Sequence, residues 1–190
     1  LSGLGKCSLT AAIPVLSVMG IQACPMPTAV LTSQTGFKSF YCNDCTDKLD
    51  YYTSEWKKLG FQPDGIYTGF LSSEKQVDKI LDFINSFETE NTLVLVDPVM
   101  GDGGRTYSLF TDTLACKMKK LVTVADVITP NLTECCILCD VDYCEFIKNA
   151  DKPDFLDKIA ELGKNLLNRY GVKIVIITGI EHKDIDGTMY

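Results

Sequence analysis

Apolar residues in this chain fall into two alternating kinds of run. Short, β-branched stretches at residues 27–32, 65–70, 92–96, 126–129 and 173–178 have strand length and composition. Between them lie segments with helical spacing. Residues 46–59 place Leu49, Tyr52, Trp56 and Leu59 on one face, with Gly60 as a stop. Val77, Ile80, Leu81, Ile84 and Phe87 form a second apolar face, preceded by Ser73 as a cap. Residues 111–121 form a third helix, and residues 155–170 a fourth, built on Leu156, Ile159, Leu162, Leu166 and Leu167 and closed by Gly171. Residues 7–19 predict another, with Ser8 or Thr10 near its start. Gly20 ends it, and Pro14 either kinks it or marks its true first turn. Residues 2–5 read as a glycine-containing approach to that helix, and residues 181–187 as a polar turn leading to a strand near Tyr190. Alternating strands and helices predict an α/β fold with a mostly parallel sheet between helices. No repeat, low-complexity tract or linker divides the 190 residues, so one domain is expected.

Charge narrows the classes of partner. A formal net charge of −7 argues against nucleic acid or an anionic membrane surface. It leaves room for a phosphorylated ligand bound locally by backbone amides and metal. No apolar run has the length of a membrane span, and the start shows no signal-like core, so a cytoplasmic enzyme is expected. The chain begins at Leu1 rather than Met, and its natural start is expected to lie upstream. Nine cysteines include two CxxC pairs, Cys42/Cys45 and Cys136/Cys139. The pairs lie far apart for a zinc knuckle, and Cys136 and Cys139 sit in an apolar helical run, so buried free thiols are expected over zinc or redox chemistry.

The chemistry concentrates where the strand at Val94, Leu95 and Val96 stops at Asp97-Pro98, then continues as Val99-Met100-Gly101-Asp102-Gly103-Gly104. Pro98 cannot extend a ladder. A loop at the carboxyl end of a parallel strand is where open α/β sheets meet ligands. The glycines would let amides approach an anion, and Asp97 and Asp102 could meet a substrate through a divalent cation. Ile128-Thr129-Pro130-Asn131 then leads into Glu134, three residues beyond Asn131. A capping box is the plain reading of that spacing. The other reading turns Glu134 toward Asp97 and Asp102 as a third carboxylate for Mg²⁺. Ser2 and the polar loop Ser33-Gln34-Thr35-Gly36 are weaker candidates for contact with a polar ligand.

Taken together, the block from Asp97 to Asp102, with Gly104 and Tyr107, and the block from Ile128 to Glu134 resemble the signature of the pyridoxal kinase branch of the ribokinase-like superfamily. The resemblance covers essentially the whole chain. It implies a three-layer α/β/α sandwich and transfer of phosphate from ATP, with Mg²⁺, to the 5′-hydroxyl of pyridoxal, pyridoxamine or pyridoxine. It also implies a homodimer. By position, Ser2, Gln34, Thr35, Gly36 and Phe70 would line the vitamin pocket. Asp97, Asp102, Tyr107, Thr129, Asn131, Glu134 and Thr178 would serve ATP, with Asp102 and Glu134 organising the metal.

The chain departs from that branch in three places. Its Gly-Thr-Gly-Asp block, which carries the catalytic aspartate, has no match up to Tyr190, and the strand ahead of Ser2 is also absent. The chain is therefore expected to be part of a longer protein whose base lies beyond Tyr190. Gln34 stands where many relatives carry histidine, which bears on substrate preference. The nearest rival is a hydroxymethylpyrimidine kinase of the same fold, although residues 2–10 lack that enzyme's glycine-rich N-terminal segment. A sugar kinase fits less well, because no polar pocket for several hydroxyls is evident. A non-catalytic fragment or a cysteine-based zinc module is the alternative from a different class.

Overall fold

The computed structural model describes residues 1–180, arranged as two compact units. One comprises residues 1–64 and 69–91; the other comprises residues 65–68 and those from 92 onward. The turn and strand expected after residue 180 lie outside the described residues.

The first unit begins with a strand where an approach loop was expected. Ser2–Leu4 (β1) pairs in parallel with Ala29–Ser33 (β2), because the amide of Leu31 reaches the carbonyl of Leu1 and that of Gln34 the carbonyl of Leu4. Cys42–Asp44 (β3) adds an antiparallel edge to β2, an element no periodicity announced. Helix α1 covers Leu9–Val18, with Pro14 inside it rather than in its first turn. Ser8, its N-cap, has φ 55° and caps nothing with its side chain; its Oγ instead accepts the Ser2 N–H at 3.1 Å.

A 3-10 turn at Thr46–Lys48 leads into α2 (Leu49–Lys58). Helix α3 (Glu74–Phe87) starts at Ser73, whose Oγ accepts the Gln76 N–H as the sequence predicts. Trp56 meets Phe61 and Phe83, and Phe87 meets both Phe61 and Phe83, so half-buried Trp56 packs on the core, whereas Tyr51 of the same helix is exposed. Of the expected face of α3, Val77, Ile80, Ile84 and Phe87 are buried, while Leu81 is only half-buried and Phe83 takes a place in the core instead.

The second unit is built on a four-stranded parallel sheet, ordered Gly65–Thr68 (β4), Leu93–Val96 (β5), Val127–Ile128 (β8) and Ile174–Val175 (β9). Val94, Val96 and Ile128 are fully buried, which is what an apolar run in a covered parallel sheet demands. Between β5 and β8 come a short antiparallel hairpin, Gly101–Asp102 (β6) with Arg105–Thr106 (β7), and helix α4 (Asp112–Val122), capped by Thr111. Helices α5 (Leu132–Cys139), α6 (Tyr143–Ile147) and α7 (Phe155–Tyr170) follow β8. Beyond β9 the ladder narrows to a single parallel bridge between Asn131 and Thr178.

The cysteines divide by position. Cys135 and Cys136, inside α5, are buried, and burial pushes both thiols well above the ordinary range. Cys42 and Cys45 are only half-buried, which corrects the buried-thiol expectation for that pair; β3 is an edge strand that no further strand covers among the described residues. All nine cysteines are free, and among the described residues no group of three or more His, Cys, Asp or Glu side chains is arranged to hold a metal. No described helix is long and apolar enough to cross a membrane.

Candidate active site

Asp97 leaves the carboxyl end of β5 with its amide donating to the carbonyl of Thr68, one strand over. Pro98 is buried and ends the ladder. Burial pushes the Asp97 carboxyl up to about 6, against the opposing effect of a hydrogen bond from the side chain of Thr129 at the end of β8. A half-buried carboxylate kept at a sheet end against its solvation preference is a signature of functional sites.

Glu134 is only 2% exposed. Asn131 and Glu134 form the capping box that their spacing predicts: the Asn131 side chain accepts the Glu134 N–H at 3.0 Å, and Glu134 Oε2 accepts the Asn131 N–H at 2.8 Å. The other oxygen, Oε1, accepts the Met100 N–H at 3.0 Å, and the Gly101 amide also bonds this carboxylate. The capping reading of Glu134 is the one its geometry shows, and among the described residues Asp97, Asp102 and Glu134 are not gathered as a three-carboxylate metal group. Glu134 caps α5, and through the same carboxylate it holds the loop that carries Asp102. Burial raises its pKa to about 7, against those backbone hydrogen bonds and with a further push from the charge of Asp97.

Asn131 contributes a second tie, its Nδ2 donating to the Gly101 carbonyl at 2.8 Å. A third comes from Thr133, whose Oγ1 accepts the Gly104 N–H at 2.9 Å. The ring of Tyr143 lies so close over Gly104 that a β-carbon there would sit 2.4 Å from it. The β6–β7 hairpin is thus fastened to the first turn of α5 at both ends. Its glycines do not present free amides to an anion, contrary to expectation. Gly103 donates to Asp102 Oδ1 at 2.8 Å and Gly104 to Thr133, and both residues have positive φ, so they serve the turn. Tyr107 follows the hairpin, with its amide on the Met100 carbonyl. Burial raises its phenol, and the negative charges of Glu134, Asp102 and Asp97 push it the same way. Thr178 joins this group through its bridge to Asn131 and its amide on the Pro130 carbonyl at 2.9 Å.

The second unit accordingly assembles Asp97, Asp102, Tyr107, Thr129, Asn131, Glu134 and Thr178 at the carboxyl ends of its parallel strands. Met100, Gly101 and Thr133, inside the two sequence blocks, and Tyr143, outside them, complete the constellation. The Thr133 hydroxyl and the Tyr143 ring acquire their parts only through the packing of α5 and α6 on the hairpin. Gly101 offers a sharp test. A β-carbon at that position would meet the Arg105 carbonyl oxygen at 2.3 Å, so Gly101→Ala must open the hairpin. A loss of about 1–3 kcal/mol in urea unfolding is expected; an unchanged midpoint would contradict the close approach.

The remaining candidates lie in the first unit. Ser2 is buried in β1, and Gln34 stands at the end of β2 with its amide on the Leu4 carbonyl. The Gln34 side chain runs between Gly5 and Gly36: a β-carbon on Gly5 would meet its Cγ at 2.9 Å, and one on Gly36 its Nε2 at 3.1 Å. Thr35 is half-buried in the same turn. Phe70, which lies beyond the end of β4, is half-buried, and its carbonyl accepts the Thr28 hydroxyl at 2.8 Å.

With this geometry in view, a family model described as phosphomethylpyrimidine kinase matches residues 9–189. The chain belongs to that family. A Bacteroides thetaiotaomicron structure, assigned by inference as a phosphomethylpyrimidine kinase and crystallised with pyridoxal, is 44% identical. It superposes with a TM-score of 0.87 over 97% of this chain and 62% of its own. Pyridoxal kinase from Lactobacillus plantarum is 25% identical, with a TM-score of 0.80 over all of this chain and 68% of its own. A Schizosaccharomyces pombe protein, named by inference as a pyridoxal kinase, is 32% identical over 170 residues, covering 87% of this chain. This chain spans about half of that protein's length, 46%. The fold is α/β, as the strand–helix alternation predicts, and ribokinase-like, as the resemblance implies.

Proposed function

We propose that the protein is an ATP-dependent kinase acting on the 5′-hydroxyl of a B6 vitamer. The observation that carries this reading is the likeness, at 44% identity, to a structure crystallised with pyridoxal. The chemistry of the two units supports it. Phosphoryl transfer requires alignment and charge neutralisation rather than covalent help from the protein. The first unit offers Ser2, Gln34, Thr35, Gly36 and Phe70 as a polar-edged, aromatic lining suited to a substituted pyridine ring. The second offers the carboxylates and hydroxyls of Asp97, Asp102, Tyr107, Thr129, Asn131, Glu134 and Thr178 for the nucleotide phosphates and their metal.

Mg²⁺ fits this donor set as a hydrated ion. Both oxygens of Glu134 already accept backbone amides, so direct ligation would strip those amides of their acceptor. Asp102 is exposed and turned on its own loop amide, free to exchange that bond for a metal-bound water. The ion would neutralise the charge on the transferred phosphate. Asp102 and Glu134 would then hold it through water, Glu134 chiefly by fixing the loop. The base on the substrate hydroxyl is assigned to no described residue. A single kinase domain and a homodimer belong to the same reading.

The test is turnover by the full-length protein with MgATP and each B6 vitamer in parallel with hydroxymethylpyrimidine and with phosphomethylpyrimidine, the substrate that the family's description names. Phosphorylation of a vitamer is expected. Turnover of either pyrimidine with none of any vitamer would overturn the proposal in favour of the rival.

A further inference from the structure

A polar network in the first unit, buried at Gln76 and Thr46 and reaching the surface at Asp44, takes no part in the chemistry above, yet it ends on the segment that carries Phe70. Its centre is Gln76, in the first turn of α3, with no exposed surface. Gln76 Oε1 accepts the Ser72 N–H at 2.9 Å, and Nε2 donates to the Thr28 carbonyl at 2.8 Å, Thr46 Oγ1 at 2.9 Å and Asp44 Oδ2 at 3.1 Å. Asp44 closes the circuit, taking the Ser72 hydroxyl at 2.6 Å on Oδ2 and the Thr46 amide at 2.7 Å on Oδ1. Those hydrogen bonds hold its carboxyl below the ordinary range, although its partial burial works the other way. Thr28 completes the set: its backbone carbonyl binds Gln76, and its hydroxyl binds the carbonyl of Phe70.

Four separate stretches meet here: the entry to β2, the end of β3 with the 3-10 turn, the loop before α3, and α3 itself. A polar side chain is not needed at Gln76 to fill space in an apolar helix face, and a buried amide with all its partners satisfied specifies one arrangement of the chain around it. The loop of residues 69–73 has no ladder of its own. It is fastened at Phe70 by Thr28 and at Ser72 by Gln76 and Asp44.

We propose that Thr28, Asp44, Ser72 and Gln76 are positioning residues that set Phe70 against the ring of the substrate, and so determine affinity for the vitamer without touching it. This rests on the kinase reading above, in which Phe70 lines the vitamin pocket. Because every member lies in the first unit, away in sequence from the residues assigned to the nucleotide, the network should act on one substrate only.

The experiment uses the full-length protein with MgATP and pyridoxal. Thr28→Val keeps the side chain's shape and removes the hydroxyl that binds the Phe70 carbonyl. It is expected to raise KM for pyridoxal about five- to tenfold, with kcat and KM for MgATP within twofold of the unaltered protein. Phe70→Ala is then combined with it. If Thr28 acts through Phe70, Thr28→Val adds no further rise in the Phe70→Ala background. Ser72→Ala, which removes the hydroxyl bound to Asp44, serves as a second, milder probe and should move KM in the same direction. An unchanged KM for pyridoxal in both Thr28→Val and Ser72→Ala would overturn the proposal, as would equal rises with and without Phe70. Absence of vitamer turnover in the unaltered protein would instead remove the kinase reading, and this inference with it.

Discussion

Glu134→Ala is expected to unfold in urea with a loss of about 3–5 kcal/mol, the largest effect of any single substitution proposed for this chain. The reason is the number of donors that one carboxylate satisfies. The amides of Asn131, Met100 and Gly101 all turn to it, and the carboxylate itself has almost no solvent. Alanine leaves those N–H groups buried without an acceptor and removes half of the capping box of α5. Glu134→Gln retains one acceptor oxygen and sets an amide N–H₂ against a backbone N–H, so about 1–3 kcal/mol is expected for it. In the full-length protein both variants should lose turnover, because the hairpin that holds Asp102 is released. Thr133→Val is a graded companion that removes only the tie to the Gly104 amide, at about 1 kcal/mol. If Glu134→Ala unfolded at the same urea concentration as the unaltered protein, the fastening role assigned to this carboxylate would be wrong.

Asp97→Asn is expected to act in the opposite direction on stability. Burial raises the Asp97 carboxyl from the ordinary 3.8 to about 6 in the folded protein. The folded state therefore holds its proton more tightly than the unfolded state between those two values. The stabilisation from protonated Asp97 is fully present below about 3.8 and is lost as pH rises through about 6. Above that, ionised Asp97 weakens the fold by on the order of 2–3 kcal/mol. Asparagine is neutral at every pH and still accepts the Thr129 hydroxyl. At pH 7.5 the variant should be more stable by about 1–3 kcal/mol, with the advantage shrinking to nothing near pH 4. Its turnover should fall, a stability–activity trade-off of the kind that marks a strained functional group. Urea unfolding at several pH values checks this directly. A variant that is less stable at pH 7.5, or one whose difference does not vary with pH, would show that the ionised carboxylate is well accommodated.

Both results bear on how the site is held together. Loss of water raises both Asp97 and Glu134, and the charge of Asp97 adds to the rise at Glu134. The protein answers with backbone amides at Glu134, a hydroxyl at Asp97 and an open, hydrated position at Asp102. A cation arriving with a nucleotide would offset that charge, which fits a site built to receive charge rather than to carry it unaccompanied.

Much of this was legible in the linear chain. The strand–helix alternation, the cap at Ser73, most of the apolar face of α3 and the Asn131–Glu134 box all follow from local rules, since each depends on residues within one or two turns of one another. So does the break at Pro98, which needs no partner to end a ladder. The Asp97–Asp102 and Asn131–Glu134 blocks could be recognised for the same reason: their spacing is preserved within a short stretch.

Contacts across long separations were decided only by tertiary structure. Ser2–Leu4 is too short to announce itself as a strand and becomes one because the backbone of β2 lies beside it. Gly103 and Gly104 look like an anion cradle in sequence, but their amides are claimed by Asp102 and Thr133 once the hairpin packs on α5. Gln76 is a polar residue on a helix with no visible purpose until Thr28, Asp44, Thr46 and Ser72 close around it from positions up to 48 residues away. Local pattern determines which element forms, because its energetics are settled within a few residues. Which groups are left without water, and therefore must find one another, is settled only when distant segments meet.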